Sequence, residues 1–211
     1  MTLANGEAVR GRKLLLSTGV RDELPKVEGT STWYGRGIFH CPYCDAFEHA
    51  DQPLATLGTT EGAAGLALAL LTWSDDVTVL TQGAALEAAT VERLIQHGVK
   101  VATSPVVRLE GTQGPDGRLT GALLEDGTRL PLGALFFSTG RTQHSELPEL
   151  LGCLVNERNE IETDRLQHTD VHGLFLAGDA DGDVQFAIVA AAEGAKAAVA
   201  INLQLQKERT G

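Results

Sequence analysis

The sequence predicts an α/β fold in which a three-layer, nucleotide-binding type of domain is inserted into a second one. Three observations carry this. Between residues 54 and 103 the apolar pattern alternates strand, helix, strand, helix, strand, as in a parallel sheet. Glycine supplies 24 of 211 residues while aromatics make up only 5%, a balance typical of nucleotide-binding α/β chains. Finally, Leu15-Leu16-Ser17-Thr18-Gly19 is echoed by Phe136-Phe137-Ser138-Thr139-Gly140, and each copy leads into a Glu-Leu-Pro exit. The echoes bracket the middle of the chain. They place an inserted domain at 26–137 and a second domain at 1–25 plus 138–211.

The elements follow in order. Lys13–Ser17 reads as a short buried strand stopped by Thr18-Gly19, and 20–37 as a connector rich in Gly, Pro and Ser. Leu54–Gly58 reads as a strand and Glu61–Thr72 as an apolar helix, with Ala63, Leu66, Ala67 and Leu70 at helical spacing. Val77–Thr81, Leu86–His97 and Val99–Thr103 continue as strand, helix and strand. The period then shortens. Val106–Glu110, Leu119–Glu125 and Thr128–Leu130 form a meander with turns at Gly114-Pro115-Asp116-Gly117 and Asp126-Gly127. Ala134–Ser138 and Leu174–Ala177 are buried strands. Asp183–Gln204 is a long Ala-rich helix, apolar on most faces and therefore expected inside a domain.

Composition excludes some partners. Lys and Arg number 17 against 28 Asp and Glu, a net charge of −11, so nucleic-acid phosphates and anionic membranes are repelled. The opening residues show no secretory signal, and no uninterrupted apolar run reaches ~18 residues, so no membrane partner is expected. Three cysteines are too few for a disulfide framework. A cytoplasmic location follows as the expectation.

The sharpest local signal is Cys41-Pro42-Tyr43-Cys44. Cysteines three apart can close a reversible disulfide, and a helix starting at the first would lower its thiol pKa. Half of a zinc site with His40 or His49 is the competing reading, but structural zinc needs four ligands and Cys153 is far away in sequence. No metal is expected, and Cys153 should be buried and inert. Asp45 beside the pair can pass a proton to or from a leaving thiolate; an Asp near a helix start is equally an ordinary cap. Gly178-Asp179 ends a strand before a helix, where an acid can accept hydrogen bonds from sugar hydroxyls and the helix N-terminus favours anions.

Taken together, Ser17-Thr18-Gly19, Cys41-Pro42-Tyr43-Cys44-Asp45, the Gly58-opened strand–helix unit, Ser138-Thr139-Gly140 and Gly173-Leu174-Phe175-Leu176-Ala177-Gly178-Asp179 resemble the low-molecular-weight thioredoxin reductase family of flavoproteins. The resemblance covers about 12–205. The Pro-Tyr between the cysteines also resembles gliotoxin- and holomycin-type dithiol oxidases. The resemblance implies a three-layer FAD/NAD(P)-binding, Rossmann-like domain inserted in a second, incomplete one. It implies FAD as cofactor, with Thr18 and Gly19 on the FAD side, Gly178 and Asp179 at the ribityl-phosphate, and Phe186 and Ala187 by the flavin. Cys41, Cys44 and Asp45 would be catalytic. The substrate would be a thioredoxin-like protein or a small-molecule disulfide.

Two departures from that family stand out. Its opening Gly-x-Gly-x-x-Gly loop occurs nowhere in this sequence, so only the second half of the FAD domain is expected. The nicotinamide loop reads Gly58-Thr59-Thr60-Glu61-Gly62-Ala63, with Thr60 where backbone should approach a pyrophosphate and Glu61 adding negative charge. Gly62 and Gly65 could open a different phosphate loop. Leu80-Thr81-Gln82-Gly83 offers neither the acid for a ribose nor arginines for a 2′-phosphate, so NADPH is expected to bind weakly or not at all. A glutaredoxin reading of Cys-Pro-Tyr-Cys fails because the following stretch is acidic and runs into Pro53. The expected function is FAD-dependent dithiol/disulfide exchange. The alternative is a non-catalytic truncated flavoprotein or a subunit needing a partner. A homodimer is expected through an exposed apolar face of Leu14, Leu16, Phe136, Leu174, Leu176 and Ile188.

Overall fold

A computed structural model of the chain describes residues 2–59, 61–157 and 160–210. They divide into two compact units, 1–21 with 141–211 and 22–140. The chain opens with β1 (Leu14–Leu16) and β2 (Val20–Asp22). It then builds α1 (Thr30–Trp33), β3 (Ile38–Phe39), α2 (Pro42–Asp45) and a 3₁₀ turn at Phe47–His49. Next come β4 (Leu54–Leu57), α3 (Glu61–Leu70), β5 (Val77–Leu80), α4 (Ala88–Gln96) and β6 (Lys100–Ala102). The strands β7 (Val106–Gly111), β8 (Leu119–Leu124), β9 (Arg129–Pro131) and β10 (Ala134–Phe137) follow. The chain closes with β11 (Arg141–Gln143), α5 (Leu147–Leu150), β12 (Leu174–Leu176) and α6 (Ala187–Thr210).

In the 22–140 unit, β3-β10-β4-β5-β6 form a parallel sheet, with Leu54 opposite both Ala134 and Val77. Both faces are covered, which is why the strands read as unbroken apolar runs. Leu54, Val77, Val79, Ala134 and Phe136 pack with Ala63, Ala67 and Leu70 of α3 and Leu94 of α4. Ala55, Leu57, Leu80, Leu135 and Phe137 pack with Leu109, Leu119, Ala122 and Leu124 of the antiparallel β7-β8-β9 meander. The result is three layers: helices, parallel sheet, meander. Gly58 permits the close β4–α3 approach, since a Cβ there would lie 3.0 Å from both the Ala63 Cβ and the Ser138 carbonyl.

In the other unit, β1 pairs with β12 in parallel, Leu14 opposite Leu174 and Leu16 opposite Leu176. Leu16, Leu174 and Leu176 pack with Cys153, Ile161 and Ala180. β2 pairs with β11. Each starts directly after a Ser-Thr-Gly copy: His144 N–H donates to the Gly19 carbonyl over 3.0 Å, and within the 22–140 unit Glu23 N–H donates to the Gly140 carbonyl over 3.0 Å.

Several expectations need correcting. The supposed connector 20–37 contains β2 and α1. These elements are only three and four residues long and owe their form to tertiary partners, Trp33 being buried against the meander. α3 begins at Glu61, so Gly62 and Gly65 lie within the helix and open no phosphate loop. α6 starts at Ala187, not 183, and it is not enclosed. Only Glu193, Ala197 and Ala200 are buried, while Ile188, Val199 and Leu203 stand exposed. At 100° per residue these are two different stripes, so apolar residues on an outer face disguised a helix buried on one side. By length and composition α6 passes as long and apolar enough to cross a bilayer, where the lack of an uninterrupted apolar run had suggested none would. The expected exposed face is also wrong. Leu16, Leu174 and Leu176 are core residues of one unit, Phe136 belongs to the core of the other, and of that set only Ile188 is fully exposed.

Candidate functional site

Cys41 and Cys44 are bonded to each other, with their Cα atoms 5.4 Å apart. The spacing works because Cys41 is extended and Pro42 starts a single turn, α2, with its ring at the first helical position. α2 is only four residues long, so the helix dipole expected to activate the first thiol is small. Cys44 is exposed and Cys41 half-buried. Asp45 ends α2 and caps no helix start. Burial is the main cause that raises its carboxyl pKa, Glu48 adds to it, and His40 and His49 oppose it. A carboxyl held toward its protonated form beside a dithiol is a competent proton donor to a departing thiolate. Among the described residues no group of three or more His, Cys, Asp or Glu side chains is arranged for a metal ion. Cys153 is free and buried, and that burial pushes its thiol pKa up.

The structure adds three linked residues, two of which, Tyr34 and His40, interact electrostatically with Asp45. The Tyr34 hydroxyl donates to Asp22 Oδ2 over 2.6 Å, and His40 Nδ1 lies 3.3 Å from the same oxygen. Desolvation, then the hydrogen bond to Asp22, pushes the Tyr34 pKa up to about 12. From the sequence His40 is a candidate only as a zinc ligand, and nothing marks Asp22 or Tyr34. Nothing local joins positions 22, 34 and 40, and the only signal was His40 preceding Cys41.

In the other unit, Thr18, Gly19, Gly178 and Asp179 come together around a pocket of about 390 Å3, with Ala190 and Gly194 of α6 on its wall. Phe186 and Ala187 lie at the start of α6 and outside that lining. Gly178 takes φ 83°, a left-handed conformation suited to glycine, and its N–H donates to the Glu193 carboxylate over 2.7 Å. Glu193 is 2% exposed, and burial raises its pKa. Thr18 Oγ1 is buried without a hydrogen-bond partner in the structure. A buried hydroxyl lacking a partner, glycine backbone and a nearby helix N-terminus fit a phosphate- or sugar-bearing cofactor.

The nicotinamide position looks different. Glu61 opens α3 and accepts hydrogen bonds from the Thr90 hydroxyl (2.6 Å) and the Glu87 N–H (3.4 Å). Gln82, at φ 55°, turns its side-chain oxygen to the Val106 N–H. Thr60 lies outside the described residues.

The sequence profile for pyridine nucleotide-disulphide oxidoreductases matches residues 1–194. The chain belongs to that family. The crystal structure of HlmI is 34% identical, with a TM-score of 0.90, covering 99% of this chain and 64% of HlmI. A protein named "Probable thioredoxin reductase", from Arthroderma benhamiae, is 28% identical over 99% of this chain and 58% of its own length. Thioredoxin reductase of Aquifex aeolicus is 28% identical over 94% of this chain and 63% of its own. The chain thus spans about six-tenths of these curated relatives. The α/β architecture and the thioredoxin reductase-like family expected from the sequence are both found.

Proposed function

We propose that the chain carries the redox pair of an FAD-dependent dithiol/disulfide oxidoreductase. The observation that carries this is the Cys41–Cys44 disulfide on α2, with Cys44 exposed and the Asp45 carboxyl beside it held toward its protonated form. In the reduced pair, one thiolate attacks a substrate disulfide and the second closes the intramolecular bond. Asp45 hands a proton to the leaving thiolate, and Asp22 holds His40 next to the pair. Run in reverse, the same exchange oxidises a substrate dithiol. Thr18, Gly19, Gly178 and Asp179 would hold the cofactor, with Phe186 and Ala187 at the α6 end. FAD supplies a two-electron carrier when bound.

Glu61 at the head of α3 supports weak or absent NADPH binding, and thioredoxin-like proteins or small disulfides are the candidate substrates. A reducing cytoplasm suits a three-cysteine chain. A homodimer is proposed through Ile188, Val199 and Leu203 on α6, and light scattering giving a monomer would reject it. The visible spectrum of the purified chain tests the cofactor. The oxidised-flavin band is expected, and a colourless chain that takes up no added FAD would contradict the proposal.

A further inference from the structure

No lysine or arginine occurs between Arg36 and Arg93, while residues 37–92 hold eight carboxylates. Some of these acids have partners elsewhere: Asp76 pairs with Lys100 and Glu61 with Thr90. Asp45, Glu48 and Asp51 follow Cys44 within seven residues. Glu48 and Asp51 are exposed, and the Glu48 charge is felt at Asp45. The same stretch carries two exposed aromatic rings. Tyr43, located between the cysteines, is 72% exposed, and Phe47 is 77% exposed. Tyr43 is steadied edge-on against Trp73, with ring centroids 5.6 Å apart. Two rings offer at most ~500 Å2, a footing for the carbon skeleton of a small disulfide.

We infer that the dithiol selects its substrate by charge. The substrate is a small organic disulfide, cationic or neutral, with an apolar edge that rests on Tyr43 and Phe47, and dianionic disulfides are disfavoured by the acidic rim. The inference rests on the reading of Cys41 and Cys44 as an exchanging pair. In the step, one cysteine thiolate attacks a sulfur of R–S–S–R, forming a mixed disulfide and releasing R–S⁻. The other cysteine thiolate attacks the protein sulfur of that mixed disulfide, re-forming Cys41–Cys44 and releasing the second R–S⁻. Two electrons pass to the substrate, and the two protons lost by the cysteines are taken up by the two leaving thiolates.

The test uses the reduced chain at about pH 8, where unperturbed imidazoles are neutral, and follows acid-quenched thiol content by mass spectrometry. The disulfides are cystamine, bis(2-hydroxyethyl) disulfide and dithiodipropionate, with oxidised thioredoxin as a protein arm. Each rate is divided by that of dithiothreitol with the same disulfide, which removes intrinsic reactivity. At low ionic strength cystamine should exceed dithiodipropionate by about tenfold, and the ratio should shrink severalfold at ~0.5 M salt as screening sets in. The double variant Glu48→Gln with Asp51→Asn should narrow it without added salt. Equal normalised rates, a salt-independent order, or thioredoxin outpacing the small disulfides would overturn the charge selection while leaving dithiol exchange standing. Exchange with none of the four would overturn both.

Discussion

The Tyr34 hydroxyl, one residue past α1, donates to Asp22 over 2.6 Å within the 22–140 unit. The same carboxylate oxygen lies 3.3 Å from His40 Nδ1, so one acid orients both Tyr34 and the residue that precedes Cys41. Replacing Asp22 by Asn keeps an acceptor for Tyr34 but removes the negative charge. The Tyr34 pKa should then fall from about 12, yet stay above the ordinary 10, because burial is its largest cause. The chain has two tyrosines, so an ultraviolet titration in a Tyr43→Phe background reads Tyr34 alone. An unchanged value would show that Asp22 does not govern it.

Glu193 should make stability pH-dependent. Burial raises its carboxyl pKa, Asp181 and Asp183 push the same way, and the Gly178 N–H and Lys196 oppose them. A raised acid pKa means that the folded chain holds the proton longer than the unfolded one. This contribution is therefore present below the ordinary carboxylate range and lost as pH rises through the raised value. Glu193→Gln keeps an acceptor and should abolish this loss. Glu193→Ala strands the Gly178 N–H and should cost about 1–3 kcal/mol. Denaturant unfolding across pH checks both, and a Gln variant with the parent's pH slope would refute the assignment.

NADPH should bind poorly because Glu61 puts a carboxylate at the head of α3, where a dinucleotide phosphate would need a positive end. Calorimetry should show no micromolar affinity. Glu61→Gln should improve whatever binding exists, since it removes the repulsion but keeps a side chain able to reach Thr90. Micromolar binding by the parent chain would contradict this reading.

The layers of the 22–140 unit were legible because each strand carries its own apolar run and each turn its Gly or Asp, as at Asp126-Gly127. The Cys41–Cys44 pair was legible for a similar reason: three-residue spacing is local information. Asp22, Tyr34 and His40 were not, because the fold alone brings them together across 18 positions. α1 and β3 carry too little pattern to read, at four and two residues, and Trp33 and Ile38 are held by burial and, for Ile38, by pairing with the distant β10. The enclosure expected for α6 is not found because alanine-rich sequence gives both sides of the helix nearly the same hydropathy; Ile188, expected on an exposed face, is exposed. Glu193 marked the buried side, but a glutamate in a helix ordinarily signals solvent.

Counting thiols on the folded chain before and after mild reduction tests the central claim most directly. Cys41 and Cys44 should account for a gain of two thiols per chain, and Cys153, buried in the core, should react only after denaturation. Reoxidation by a small disulfide should remove the same two. No gain on reduction, with stoichiometric zinc in metal analysis, would contradict the account.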